Sequence, residues 1–140
     1  MPRYTEKHAT AGLKEKLPKL EGLPNQFHDY EITIIIPEYT SLCPRTSLPD
    51  CGTITIEYEP AKFFVELRSL KYYILGYRNL GIFYENAVNR ILNDFAHAIK
   101  PHWVVVRGEF NVRGGIKTII EARFGKIKNR QKKKIRIISS

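Results

Sequence analysis

The chain has 140 residues, 43% of them hydrophobic, and a formal net charge of +9, which suits one compact domain with a real core and is too short for two large ones. Its two cysteines, Cys43 and Cys51, imply no disulfide framework, and without CxxC or paired Cys/His spacing no zinc or other metal site is expected. The N-terminus offers no apolar signal core, and the longest apolar run, Ile32–Ile36 interrupted by Thr33, falls far short of the roughly 20 residues that span a bilayer, so a soluble cytoplasmic protein with no membrane partner is expected.

Residues 1–28, with Pro2, Pro18 and Pro24 and scattered charge, read as an extended lead-in that carries no chemistry. Asp29–Pro37 is β-branched and reads as a strand, and Thr53–Tyr58 alternates as a half-buried strand does. The stretch between them holds Cys43 and reads as a loop. After Pro60 the pattern turns helical. Ile82–Ile99 is the clearest helix, because Phe83, Ala87, Val88, Ile91, Leu92, Phe95, Ala98 and Ile99 recur at three- and four-residue spacing, and Pro101 stops it. Trp103–Phe110 and Ile116–Arg123 form a second strand pair joined across Arg113-Gly114-Gly115. The catalytic domain is therefore placed at residues 29–124, in the order strand, strand, helix, helix, strand, strand.

Residues 125–140 form a basic tail. Lys126, Lys128, Arg130, Lys132, Lys133, Lys134 and Arg136 are its seven cations and it has no acid, whereas the other 16 Lys and Arg face 14 acids, so residues 1–124 carry only +2. Such a tail can bind RNA by counterion release. The preferred reading is a solvated extension, and the alternation of Ile135 and Ile137 keeps an added edge strand open. Nucleic acid is not an expected partner, since the remainder is nearly charge-balanced and lacks an aromatic-rich RNA-binding signature.

The chemistry-bearing stretch is Ser41-Leu42-Cys43-Pro44-Arg45-Thr46-Ser47-Leu48-Pro49-Asp50. Its spacing places a thiol and a proton donor on one short loop. A thiolate is a strong, soft nucleophile whose reactivity depends on a lowered pKa or on a nearby acid or base. A lone cysteine is more often a small buried hydrophobe. The flanking prolines fix the backbone, however, and Arg45 and Asp50 put charge on both sides of the sulfur, which argues against an apolar core position.

Four segments together resemble a known family. They are the loop from Ser41 through Asp50, the run Val65-Glu66-Leu67-Arg68-Ser69-Leu70-Lys71-Tyr72-Tyr73, the pair Tyr84-Glu85 and the turn Arg113-Gly114-Gly115. In that order they look like the short form of the 7-cyano-7-deazaguanine reductases, NADPH-dependent nitrile reductases of queuosine biosynthesis, over about residues 25–123. The resemblance implies an α+β tunnelling fold, in which antiparallel sheets from several subunits close into a barrel with helices outside. It also implies a homo-oligomer, a pentamer or paired pentamers, with sites between subunits. Cys43 resembles the nucleophile that forms a covalent thioimide with the nitrile carbon, and Asp50 the proton donor to its nitrogen. Glu85, beside Tyr84, matches the carboxylate that recognises the deazapurine base, and Val65, Glu66 and Leu67 match the segment lining the substrate pocket. Arg68, Lys71, Arg113 and Gly114 match positions associated with NADPH, where cationic groups meet phosphate and glycine permits close backbone approach. Four electrons separate nitrile from amine, so two NADPH are implied per turnover.

The chain departs from this pattern in three places. Tyr84 stands where many relatives have His, Arg68 replaces a common Lys, and Cys51 follows Asp50 where an aromatic is usual. Cys51 is read as a packing residue. Two rival functions remain: an archaeosine-type amidinotransferase acting on nitrile-bearing tRNA, which shares the thioimide without NADPH, and a non-catalytic RNA-binding module. The Glu66–Tyr73 run favours the reductase.

Overall fold

The computed structural model describes residues 5–127. The basic stretch from Lys128 onward, with the strand suggested by Ile135 and Ile137, lies outside the described residues. The elements run α1 (Glu6–Ala9), β1 (Gly22–Pro24), β2 (Ile32–Leu42), β3 (Pro49–Glu59), β4 (Phe63–Val65), α2 (Leu67–Leu75), α3 (Tyr84–Ile99), β5 (Trp103–Arg113) and β6 (Ile116–Gly125). The class is α+β. One four-stranded antiparallel sheet has the order β2-β3-β5-β6, and β1 pairs with β4 in a separate ribbon.

The core lies between one face of the large sheet and the two longer helices. Ile54, Ile56 and Tyr58 of β3 and Val104, Val106 and Phe110 of β5 meet Val88, Ile91, Phe95 and Ile99 of α3 and Leu70, Tyr73 and Ile74 of α2. Every one of these side chains is buried, and alternation along the strands against three- and four-residue recurrence along α3 is what two-layer packing demands. The helix closes at Lys100, which adopts a left-handed conformation immediately before Pro101. Among the described residues no helix is long and apolar enough to cross a membrane.

The structure corrects four boundaries. The lead-in is not featureless: α1 and β1 form within it, and β1 finds its partner in β4 some forty residues away. Arg90 donates to the carbonyls of Gly12 and Glu15, and Asn86 donates to that of Ala9 at 2.6 Å, which straps this segment onto α3. Strand β2 does not stop at Pro37 but continues to Leu42, because its register shifts between Ile36 and Tyr39. A bulge in an edge strand accommodates a residue without an N–H, and the shift keeps Tyr39 and Ser41 on the buried face. The Cys43 loop is consequently short, residues 43–48, and Asp50 lies in β3 opposite Ser41 rather than on the loop with the thiol. Finally, α3 begins at Tyr84, with Phe83 as its N-cap.

Gly52 shows how tightly β3 and β5 approach beside this loop. A Cβ there would stand 2.5 Å from the Glu109 carbonyl oxygen and 2.9 Å from Phe110 Cα, both backbone atoms that cannot swing aside. Gly52→Ala is expected to lose about 1–3 kcal/mol of stability, the usual cost of overpacking, measured as a lower denaturation midpoint. An unchanged midpoint would show that the strands separate freely.

Candidate active site

Four elements and the loop after β2 converge on one cleft of about 300 Å³ whose walls include Cys43, Asp50, Phe83, Tyr84, Glu85, Asn111, Arg113, Ile116 and Thr118. Cys43 follows the last residue of β2, and that strand end is pinned by the segment leading into α3: Leu42 N–H donates to Leu80 C=O and Ile82 N–H to Leu42 C=O, both at 2.9 Å. The same clamp brings the first helical residues, Tyr84 and Glu85, next to the thiol. Asp50 arrives on β3, and the β3–β5 ladder, which sets Gly52 opposite Phe110, carries the end of β5 and its hairpin with β6 to the other side.

The loop folds back on itself. Cys43 N–H donates to Leu48 C=O and Ser47 N–H to Cys43 C=O, each at 2.9 Å, and Ser47 takes a positive φ of 59° to close the turn. Partial burial alone would raise the Cys43 thiol. Hydrogen bonds from the Thr46 side chain and from the backbone N–H groups of Thr46 and Arg45 outweigh it, together with the opposing Asp50 charge, and hold the thiol below its ordinary value. Cys51, by contrast, is exposed and follows Asp50 in the strand, so it points to the opposite sheet face.

Asp50 is buried and doubly held. Its Oδ1 accepts from the Arg113 guanidinium and, at 3.1 Å, from the Tyr84 hydroxyl, while Arg113 also donates to the Pro49 carbonyl at 3.3 Å. The Tyr84 ring stacks on Phe110, with centroids 3.9 Å apart and planes inclined by 10°. Burial and the neighbouring Asp50 carboxylate push the Tyr84 phenol above its ordinary value, so it remains a neutral donor. The bond to Asp50 likewise raises Arg113. At the hairpin tip Gly114 and Gly115 take positive φ of 57° and 79°, and a Cβ on either would meet nothing within 4 Å. The turn is open to solvent.

The other residues singled out in the sequence lie elsewhere: none of Val65, Glu66, Leu67, Arg68 and Lys71 lines this cleft. Val65 is buried in β4, and its N–H donates to the Tyr58 hydroxyl. Glu66 is the N-cap of α2, its carboxylate accepting from the N–H of Arg68 at 2.5 Å and of Ser69 at 3.1 Å. Leu67 and Lys71 border a second cleft, about 370 Å³, between α2 and β2, and Arg68 is exposed near Glu66. Sequence reasoning missed Phe83, Asn111, Ile116 and Thr118. Strand register and the clamp at Leu42 bring them in, and no local spacing signals either.

The family model described as a QueF-like protein matches residues 49–129. Two curated relatives carry the name NADPH-dependent 7-cyano-7-deazaguanine reductase. That of Elusimicrobium minutum (strain Pei191) is 50% identical over 124 residues, 88% of this chain and 94% of its own length. That of Chlorobium luteolum (strain DSM 273 / BCRC 81028 / 2530) is 57% identical over 99 residues, 69% of this chain and 85% of its own. Among solved structures, the apo form of the archaeosine synthase QueF-Like superposes with a TM-score of 0.67 at 20% identity, covering 73% of this chain and 100% of that one. At that identity the match speaks for the fold alone.

Proposed function

Because this chain belongs to the QueF-like family, we propose that it is an NADPH-dependent reductase that converts 7-cyano-7-deazaguanine to 7-aminomethyl-7-deazaguanine, a step of queuosine biosynthesis. The observation that carries the reading is the meeting of Cys43, Asp50, Tyr84, Glu85 and Arg113 in one cleft, supported by relatives of that name at half identity over most of the chain. The amidinotransferase reading has a structural relative at 20% identity and no residue in the cleft that favours it.

The residues divide the work by their chemistry. The Cys43 thiolate, held by its loop, adds to the electrophilic nitrile carbon, and the C–S bond replaces one C–N π bond to give a thioimide. Asp50 takes up the proton that the Cys43 thiol gives up and passes it to the nitrogen as negative charge develops there. Tyr84 and Arg113 both bind Oδ1 of Asp50, which leaves Oδ2 to carry and deliver that proton. Glu85, exposed at the first turn of α3, accepts from the N–H groups of the base. NADPH supplies a hydride at each of two reductions, so two NADPH and two protons take the nitrile to the neutral amine. The residues present fit such a co-substrate: Arg113 and the open glycine turn offer a cation beside unhindered backbone, and Arg68 and Lys71 are further exposed cations.

We read Val65, Glu66, Leu67, Arg68 and Lys71 as serving the cleft of a neighbouring copy in a tunnelling-fold barrel. The helices cover one face of the sheet, and both edge strands carry exposed apolar side chains, Ile35 on β2 and Ile119 and Phe124 on β6, as an oligomer that extends the sheet requires. Purified protein given NADPH and 7-cyano-7-deazaguanine, without tRNA, is expected to yield the aminomethyl product with two NADPH oxidised per product. Untouched NADPH, with nitrile-bearing tRNA and ammonium converted to an amidine, would transfer the site to the amidinotransferase reading.

A further inference from the structure

We infer that Arg113 couples the proton on Asp50 to the hold on NADPH: the dinucleotide binds more tightly while Asp50 carries a proton and more loosely once that proton has been given away. The coupling follows from how one guanidinium is shared. Arg113 closes β5 at the register shift that follows Phe110, and its Nη1 donates both to Asp50 Oδ1 and, at 3.3 Å, to the Pro49 carbonyl. Both bonds run inward, to β3. A guanidinium carries five N–H donors in a planar fork, and 45% of the Arg113 side chain stays exposed whereas 8% of that of Asp50 does. The ion pair is therefore one-sided, its carboxylate sealed in the wall and its cation open to the surface. Beside it a Cβ on Gly114 or Gly115 would meet nothing within 4 Å, so a phosphate can approach guanidinium and backbone together.

The charges on the cleft wall decide the direction of the effect. Among the described residues that line it, Asp50 and Glu85 are the acids and Arg113 is the cation. Tyr84 and, packed on Phe110, Tyr39 of β2 are phenols that burial keeps neutral. With Asp50 ionised, the guanidinium charge is cancelled at contact distance and Glu85 is left over, so the wall disfavours a polyanion. With Asp50 protonated, the guanidinium charge is uncompensated and its attraction for phosphate rises. Proton and dinucleotide thus favour each other's binding, and linkage makes the two effects equal. Each hydride added to carbon leaves an electron pair on nitrogen that takes the Asp50 proton, and solvent returns a proton to the carboxylate before the next. In the interval the ionised Asp50 loosens the spent NADP+, which must leave before a second NADPH can enter. The inference rests on the reductase reading and deepens it, by giving the exchange of co-substrate to a pair already in the cleft.

The test measures NADPH affinity alone, by fluorescence titration of the full chain at low ionic strength with no nitrile present. Asp50→Asn stands in for the protonated acid, since its amide is neutral and still accepts from Arg113. It is expected to bind NADPH about five- to tenfold more tightly than the parent, and Arg113→Gln about tenfold more weakly. In the Arg113→Gln background the gain from Asp50→Asn should fall below about twofold, a dependence that a merely structural role for Asp50 would not produce. Arg113→Lys keeps the cation and should keep most of the gain, which guards against a fold lost with the glutamine. An Asp50→Asn affinity no tighter than the parent's, or the same gain with and without a cation at position 113, overturns the inference. A protein whose affinities follow the expected pattern yet which reduces no nitrile would keep the coupling and lose the reductase reading, and a parent that binds no NADPH refutes both.

Discussion

Cys43→Ala is expected to abolish both turnover and covalent capture of the nitrile. Loss of a catalytic nucleophile costs on the order of 10⁶-fold where it has been measured, and here it removes the only sulfur that lines the cleft among the described residues. Intact-protein mass spectrometry of the parent, mixed with 7-cyano-7-deazaguanine without NADPH, should show a mass increase equal to the whole nitrile, because addition across C≡N expels nothing. The alanine variant should show none, with an unchanged melting temperature, since the cysteine is neither buried nor part of the core cluster. An adduct that persists and maps to Cys51 would displace Cys43 from its role, and with it the account of the loop.

Much of this site was legible before any coordinates, and the reasons are specific. The apolar recurrence of α3 has few competing readings, because its buried set, Ala87, Val88, Ile91, Leu92, Phe95 and Ile99, follows from helix geometry alone. The hairpin turn at Gly114 and Gly115 is similarly local, since both glycines adopt the positive φ that such a turn demands. What escaped the sequence depends on distant partners. Gly22–Pro24 becomes a strand only because Phe63–Val65 lies beside it. β2 passes through Pro37 because the bulge resets its register against β3. Asp50 stands out in the sequence by its distance from Cys43 along the chain, yet its place is determined by pairing with Ser41 and by the donors on Oδ1. Resemblance alone groups the Glu66–Lys71 run with the rest, whereas within one chain its carboxylate caps a helix away from the thiol. That separation is what a site shared between copies would produce.

Asp50→Asn is expected to lower kcat by about 10²–10⁴-fold, the range for removing a positioned general acid, while substrate binding changes little. The substitution is informative because it leaves the scaffold of the site intact. An asparagine carbonyl can still accept from Tyr84 and Arg113 at the position of Oδ1, so the stacked Tyr84–Phe110 pair and the end of β5 need not move. What disappears is the second carboxylate oxygen, which can take up a proton and pass it on, a task an amide nitrogen does not perform. Arg113 also loses its counter-charge, and with 45% of its side chain exposed it can recover hydration. The defect should therefore appear in turnover rather than in folding: a melting temperature close to the parent's, a dissociation constant for the nitrile within a few-fold, and a slow rate that does not recover as pH is lowered. Asp50→Ala, which removes the acceptor as well, should additionally weaken binding by releasing Tyr84 at the mouth of α3. If Asp50→Asn turns over at the parental rate, the proton reaches the nitrogen by another route, and the Tyr84 hydroxyl, which lines the same cleft, becomes the next group to test with Tyr84→Phe.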